Sequence, residues 1–397
     1  MSTQISLSVT NNTSLAQPVN IMGTLVPQGF SNDSNKLYEY NLATESFSSL
    51  TSISILIATS PNPTFIAYNA IVKSNDVAGV VSALNSLNKG VFLNNGTTVY
   101  VSGNDYYSYG SLVINSSIST STILGTTGNN PSGITIDPLG NIYTANGISN
   151  NVTKITPLGV STILGTTGAQ PVGITIDSSG NIYTSNGSDN VSKITPLGVS
   201  TILGVSAGSP TGITIDSLGN IYTSNGGSNR VIKITPLGVS TTLAILTGQA
   251  PVAITIDSSG NIYTANYFTN IVSKITPLGV ATTLGTTGIT PVAITIDSSG
   301  NIYTANQSSD NVSKITPLGV STILGTTGSA PSGITIDSLG NIYTANQGSN
   351  NVSKITPLGV STILNVTGSQ PQGITIDVYG NIYTSNQGSD NVSKITP

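Results

Sequence analysis

This 397-residue sequence predicts a mainly β chain: a seven-bladed β-propeller closed by an N-terminal strand and preceded by a small α+β domain. Three observations predict it. The first is a unit of about forty residues repeated seven times. It is marked by Asp137, Asp177, Asp216, Asp257, Asp297, Asp337 and Asp377, at steps of 40, 39, 41, 40, 40 and 40. A fixed period of this size belongs to a solenoid, an array or a propeller. The second is that each unit breaks into four short segments rich in Ile, Val, Thr and Tyr, separated by Pro and Gly. Such segments suit pleated, packed strands and are too short for helices. The third is that the strand count closes only if a strand near residue 120 joins the last unit.

In chain order, residues 1–117 form the first module. Ile5, Leu7 and Val9 alternate, as on a half-buried strand, and further strands are predicted at 19–22, 37–42, 52–58 and 65–72. Asn75 can cap a helix whose apolar positions are Val77, Val80, Val81, Leu84 and Leu87, with Gly90 at its end. A hairpin follows, with Val91–Leu93 and Thr98–Val101 around Asn94-Asn95-Gly96, and a last strand runs over Ser111–Ile114.

Residues 118–397 form the second domain. Its unit is typified by a first strand Gly333–Asp337, a second Asn341–Asn346, a third Asn351–Thr356 and a fourth Val360–Leu364. Asp337-Ser-Leu-Gly-Asn341 turns the first strand into the second, with an Asp to bond the turn backbone and a Gly for positive φ. Pro357-Leu-Gly359 turns the third into the fourth. The seventh unit stops at Lys394-Ile-Thr-Pro397, without a fourth strand, and a spare one stands at Thr120–Leu124 before the first unit. Closure by that strand is expected to hide the edges of these uncharged strands.

The patterns Pro-x-Gly-Ile-Thr-Ile-Asp, Gly-Asn-Ile-Tyr-Thr-Ala-Asn and Asn-Asn-Val-Ser-Lys-Ile, over about residues 120–397, resemble the NHL repeat. They are also similar to the related propellers of the virginiamycin B lyase and gluconolactonase type. The resemblance implies a propeller with a binding face at one end of its central channel. It implies that lyase-type members rely on a catalytic His near a bound metal, and this chain has no His. It implies acidic metal ligands in lactonase-type members. Here the position often Asp in the NHL pattern is Asn in every copy: Asn146, Asn186, Asn225, Asn266, Asn306, Asn346 and Asn386. The sequence therefore offers no catalytic residues, no metal ligands and no cofactor. The first module, ending in Tyr-Gly-Ser-Leu-Val-Ile, resembles N-terminal modules of phage and giant-virus structural proteins.

Only 7% of residues are charged, so Ser, Thr, Asn, Gln and Gly must cover the surface. The eleven basic residues are scattered, which argues against nucleic acid as a partner. There is no Cys for a disulfide or thiolate site, no Sec-type signal at the start, and no apolar run long enough to span a membrane. A surface of this kind suits a protein of the virion surface, or of a bacterial cell surface or the extracellular space. The partners would be other virion or surface proteins at the first module and a glycan or protein receptor at the propeller.

The seven repeat-marking Asp residues are read as turn residues and not as metal ligands. The seven Lys residues, from Lys154 to Lys394, are read as their ion-pair partners within each blade. The two Glu, Glu39 and Glu45, lie outside the repeats, so acid–base chemistry there would fall to Asp, Lys or Tyr. The connectors between blades and the turns from strand two to three vary among the copies, whereas the other two turn classes look uniform. The variable segments are expected on one rim. There, one sector breaks the polar pattern: Arg230 (the only Arg), Ile245, Leu246, Tyr267, Phe268 and Ile289. Aromatics beside an Arg are common contact anchors. The leading reading is a non-enzymatic virion-associated or cell-surface binding protein. The alternatives are a propeller enzyme of lyase or lactonase type and an intracellular protein-interaction propeller.

Overall fold

The computed structural model describes residues 5–11, 16–17, 66–73, 90–94, 98–102 and 109–115, and then 119–396 without a break. The chain divides into two compact units, Met1–Ile118 and Ser119–Pro397. In the first, six strands form one sheet: β1 (Ile5–Asn11), β2 (Ala16–Gln17), β3 (Ile66–Lys73), β4 (Gly90–Asn94), β5 (Thr98–Ser102) and β6 (Tyr109–Asn115). Their order is β2-β1-β3-β6-β5-β4, and only the β3–β6 pair is parallel. Gly90 opens β4. The predicted helix after Asn75 and the strands predicted at 19–22, 37–42 and 52–58 lie outside the described residues.

The second unit is a ring of seven four-stranded antiparallel sheets. Blade six shows the plan: Pro331–Ile336, Ile342–Asn346, Asn351–Ile355 and Ser361–Val366, in that spatial order. The ring closes as the strand count predicts. The strand Thr120–Thr126 pairs with Asn391–Thr396 of blade seven, with Thr396 opposite Thr120 and Asn391 opposite Thr126. At the inner wall the Ser385 hydroxyl of blade seven donates to the Ser132 carbonyl of blade one at 2.5 Å.

The core lies between blades, not within them. Tyr343 and Val352 of blade six pack on Ile382 and Ile395 of blade seven, and Tyr383 and Val392 of blade seven pack on Ile142 and Ile155 of blade one. Second and third strands thus alternate apolar residues toward the neighbouring blade, and each fully buried Ile contributes about 1.5–3 kcal/mol. Every blade carries a bulge between strands three and four. In blade six Ser353 lies opposite Ile363, Val352 opposite Asn365, and Leu364 is the extra residue. Leu364 packs on the core while Ile363 stays exposed.

Two sequence expectations need correction. Closure does not hide the outer edges, because the fourth strand is terminal in all seven sheets and is largely exposed. Ring closure completes a blade but leaves each outermost backbone unpaired on its far side. Nor are the strand-one-to-two turns uniform at their tips: Pro138-Leu139, Ser217-Leu218 and Val378-Tyr379 stand in equivalent places.

Candidate functional site at the variable rim

The variable rim is built by backbone bonds between the blade-to-blade connectors and the strand-two-to-three turns. In blade six Gln347 N–H donates to Ala330 carbonyl, and Gly348 N–H to Ser329 carbonyl. The last turn residue is always Asn or Asp at positive φ, where these two types are enriched: Asn150, Asp189, Asn229, Asn270, Asp310, Asn350 and Asp390. Its side chain accepts the backbone N–H of the residue before the next blade's Pro. Asn350 holds Gln370 at 2.7 Å, and Asp390 holds Asn130 across the ring closure at 2.7 Å. These seven latches were visible in the sequence only as an Asn or Asp repeated at one position.

Beneath the rim lies the Asn ring, fully buried. Thr344 Oγ1 donates to Asn346 Oδ1 at 2.9 Å, and Asn346 Nδ2 donates to Asn351 Oδ1 at 2.7 Å and Ser353 Oγ at 2.8 Å. Gly328 N–H of the connector also donates to Ser353 Oγ, at 2.8 Å. The site needs a donor and an acceptor on one side chain, which an amide supplies and a carboxylate does not. The Asn ring is therefore a set of closed structural circuits.

Blades three and four break this pattern in a coordinated way. Blade three has Arg230 and Ile232 where blade six has Asn351 and Ser353. Buried Ser206, from the entering connector, supplies the missing hydroxyl: it bonds Asn225 Oδ1 at 2.5 Å and Thr223 Oγ1 at 2.8 Å. Blade four has Ile271 in place of that Asn, and its connector is the long one of the 41-residue step. There Gln249 Oε1 accepts from Asn266 Nδ2 at 2.9 Å and Ser273 Oγ at 2.8 Å.

The rewired sector holds the six residues singled out in the sequence. Arg230 stands opposite Ile245 on the neighbouring strand, and its Nε is buried without a hydrogen-bond partner. Asn229 beside it bonds Leu246 and Ala250, Ala250 carbonyl accepts Tyr267 N–H at 3.0 Å, and Asn270 of the same turn bonds Thr290 beside Ile289. The residues thus lie on successive hydrogen-bonded segments of one rim. Phe268 is 72% exposed, Ile245 61%, Ile289 58% and Tyr267 38%. Tyr267 and Phe268 meet edge to face at 5.3 Å between centroids. Leu246 is the correction: it is 3% exposed and packs in the core between blades three and four. Neighbouring residues of an extended chain point to opposite sides, so Ile245 outward requires Leu246 inward.

The opposite rim is built from the Asp turns. Asp177 Oδ1 accepts the N–H groups of Ser179 and Asn181, and Oδ2 accepts Asn181 Nδ2 at 2.8 Å and Tyr183 Oη at 2.9 Å. Burial alone would raise this carboxyl, but the bonds from Asn181, Tyr183 and Ser179 outweigh it and hold the group below the usual carboxylate range. Burial, then the bond to Asp177 and its charge, push the Tyr183 hydroxyl well above its usual value. Each Lys lies over the ring of its cross-strand Tyr, as Lys193 does over Tyr183 at 5.7 Å, and among the described residues no Lys–Asp ion pair forms. The ion pairs read from the sequence are replaced by cation–π stacking, which the register of Tyr opposite Lys dictates. The sequence reading also missed the Leu at the tip of each Pro-Leu-Gly turn: Leu158, Leu197, Leu237, Leu278, Leu318 and Leu358 are all more than 90% exposed.

Residues 183–397 match the sequence pattern of the virginiamycin B lyase family. The chain is similar in structure to virginiamycin B lyase from Staphylococcus aureus, at 20% identity and a TM-score of 0.63, over 70% of this chain and 99% of that one. A catalytically inactive histidine-to-alanine variant of that enzyme, solved with Quinupristin, matches at 21% identity and 0.62, over 70% of this chain and 99% of that one. The extracellular domain of a putative one-component system from Bacteroides thetaiotaomicron matches at 14% and 0.54, over 77% of this chain and 46% of that one. No curated protein matches.

Proposed function

The chain belongs to the virginiamycin B lyase family, and we propose that it is a non-catalytic member: a binding propeller of a virion or cell surface, carried by an attachment module. One observation carries the first half. The Staphylococcus aureus relative is inactive as a histidine-to-alanine variant, and this chain has no histidine to play that part. The amides of the Asn ring and the carboxylates of the Asp turns are already occupied. The Asn ring is closed on itself, and the Asp177 carboxylate accepts four hydrogen bonds within its own turn. A general base needs a free lone pair within reach of a substrate proton.

The binding face is the rewired sector of the variable rim. Exposed Phe268, Tyr267, Ile245 and Ile289 share this rim with the one Arg of an otherwise Ser-, Thr-, Asn- and Gly-rich surface. The buried circuits beneath them were rebuilt with Ser206 and Gln249 while these side chains were placed outside. Aromatic faces and an Arg suit a glycan or protein receptor.

The test has two arms. Tyr267→Ala/Phe268→Ala is expected to weaken attachment to cell surfaces or to arrayed glycans about ten-fold, with little change in melting. Unchanged attachment would remove the sector from the reading. Turnover of Quinupristin by the wild-type chain, abolished by a chelator, would overturn the non-catalytic assignment.

A further inference from the structure

The rim opposite the variable one carries a repeated array of exposed apolar side chains. The six Pro-Leu-Gly leucines form an annulus, one per blade from one to six, joined by Leu139, Leu218 and Tyr379 of the neighbouring turns. The turn geometry does not call for Leu. In blade six Gly359 takes φ of +86°, and a Cβ there would meet Leu324 carbonyl at 2.5 Å, so Gly is required. Pro357 sets the first corner. The position between them points to solvent and accepts almost any residue. The adjacent strand-one-to-two turn, on the same rim, has changed at both tip positions between copies, yet Leu is present in all six of these turns. In blades one to six the two turns touch: a Cβ on Gly340 would lie 3.3 Å from Pro357 Cγ.

We propose that this rim is a self-docking face, on which a second copy of the chain stacks ring to ring. A leucine tip carries on the order of 100 Å² of apolar surface, so six tips carry about 600 Å² per ring. Two facing rims bury about 1,200 Å² from the tips alone, which reaches the range of specific interfaces before Leu139, Leu218 and Tyr379 are added. Each blade sets one carboxylate against one ammonium at this rim, so the charges of the array balance locally. The carboxylates accept donors within their own turns, and the lysines lie over tyrosine rings. Identical tips at a fixed angular step on both partners allow each turn of one ring to seat between turns of the other, the self-complementarity of a two-fold interface. The same features disfavour a lipid surface. The lysines are engaged on Tyr143 and its equivalents, Tyr379 is the one exposed aromatic of the annulus and the chain has no Trp, so the basic face and aromatic anchors of interfacial binding are weak.

The test uses the full chain in sedimentation velocity over a range of concentrations, with flotation on phosphatidylcholine–phosphatidylserine vesicles beside it. The wild type is expected to dimerise. Serine at all six tips (Leu158→Ser, Leu197→Ser, Leu237→Ser, Leu278→Ser, Leu318→Ser, Leu358→Ser) is expected to raise the dimer dissociation constant more than about a hundred-fold, with an unchanged melting temperature. Ile163→Ser/Ile202→Ser/Ile323→Ser/Ile363→Ser, on the outer strands, is expected to leave the dimer intact. A wild type that stays monomeric, a dimer that survives the six serines, dissociation by the outer-strand variant instead, or flotation of a monomer would each overturn the proposal.

Discussion

Blades three and four and the other five blades solve one problem in two ways. All seven bury an Asn at the end of the second strand, and all seven must satisfy its amide. The regular blades do so with residues of their own third strand, such as Asn351 and Ser353. The two exceptional blades give those positions to Arg230, Ile232 and Ile271 and recruit Ser206 and Gln249 from the connectors. A buried amide left without partners costs more than the whole net value of its hydrogen bonds. In these two blades the circuit positions beneath the rim changed together with compensating residues, and a compensated set is a different signature from loose drift in a permissive loop.

The largest effect that tests this comparison is removal of the shared element. Asn346→Leu in regular blade six strands buried Thr344 and Ser353 and is expected to lower stability by about 2–4 kcal/mol in urea unfolding. A loss below about 1 kcal/mol would show that the circuit is ornamental. The next effect is specific to the exceptional blade. Gln249→Ala is expected to cost about 1–2 kcal/mol, and adding Ile271→Asn, which restores the regular partner, is expected to recover most of it. Additive losses in the double variant would break the idea of substitution between the two positions.

The smallest effect near neutrality is the control, since the opposite rim is the same in both classes of blade. Asp177, Asp216, Asp257 and Asp297, from blades two to five, are all held below the usual carboxylate range, with burial opposing and hydrogen bonds prevailing. A depressed carboxyl contributes stability that is present above the unfolded value of about 4 and is lost as pH falls through the folded one. The tyrosines Tyr183, Tyr222, Tyr263 and Tyr303 are raised, chiefly by burial. Their contribution is present below about pH 10 and is lost as pH rises beyond it. Stability is expected to be flat from about pH 5 to 9 and to fall on both sides, with the same acid limb in the wild type and in Gln249→Ala. A different acid limb in that variant would mean that the two rims are coupled through the blade.

Much of this was legible in the sequence, for reasons that differ by residue. The ring, its seven blades and the closing strand followed from counting strands against a fixed period. The role of Asp337 followed from its place in an Asp-x-x-Gly-Asn turn, which needs an acceptor. The register of Tyr343 opposite Lys354 was not read, so the lysines were assigned to the nearest opposite charge when the nearest partner is a ring face. Leu246 was grouped with Ile245 because both are apolar, although adjacent residues of an extended segment face opposite ways. The stand-in roles of Ser206 and Gln249 were illegible, because each contact spans 17–24 residues and depends on how a connector folds over its blade.

The closing strand also sets the order of events during synthesis. Thr120 pairs with Thr396, so the first propeller strand to leave the ribosome waits for the last one. At about 5–20 residues per second that wait is on the order of half a minute. Throughout it Thr120–Thr126 is an unpaired, uncharged strand beside growing blades whose own outer strands follow them within one turn. A nascent chain near another copy can lend this strand to the neighbour's seventh blade before its own exists. Exchange between polysome-bound chains is thus the characteristic error of this architecture, and fast elongation on sparsely loaded messages is the condition that suppresses it.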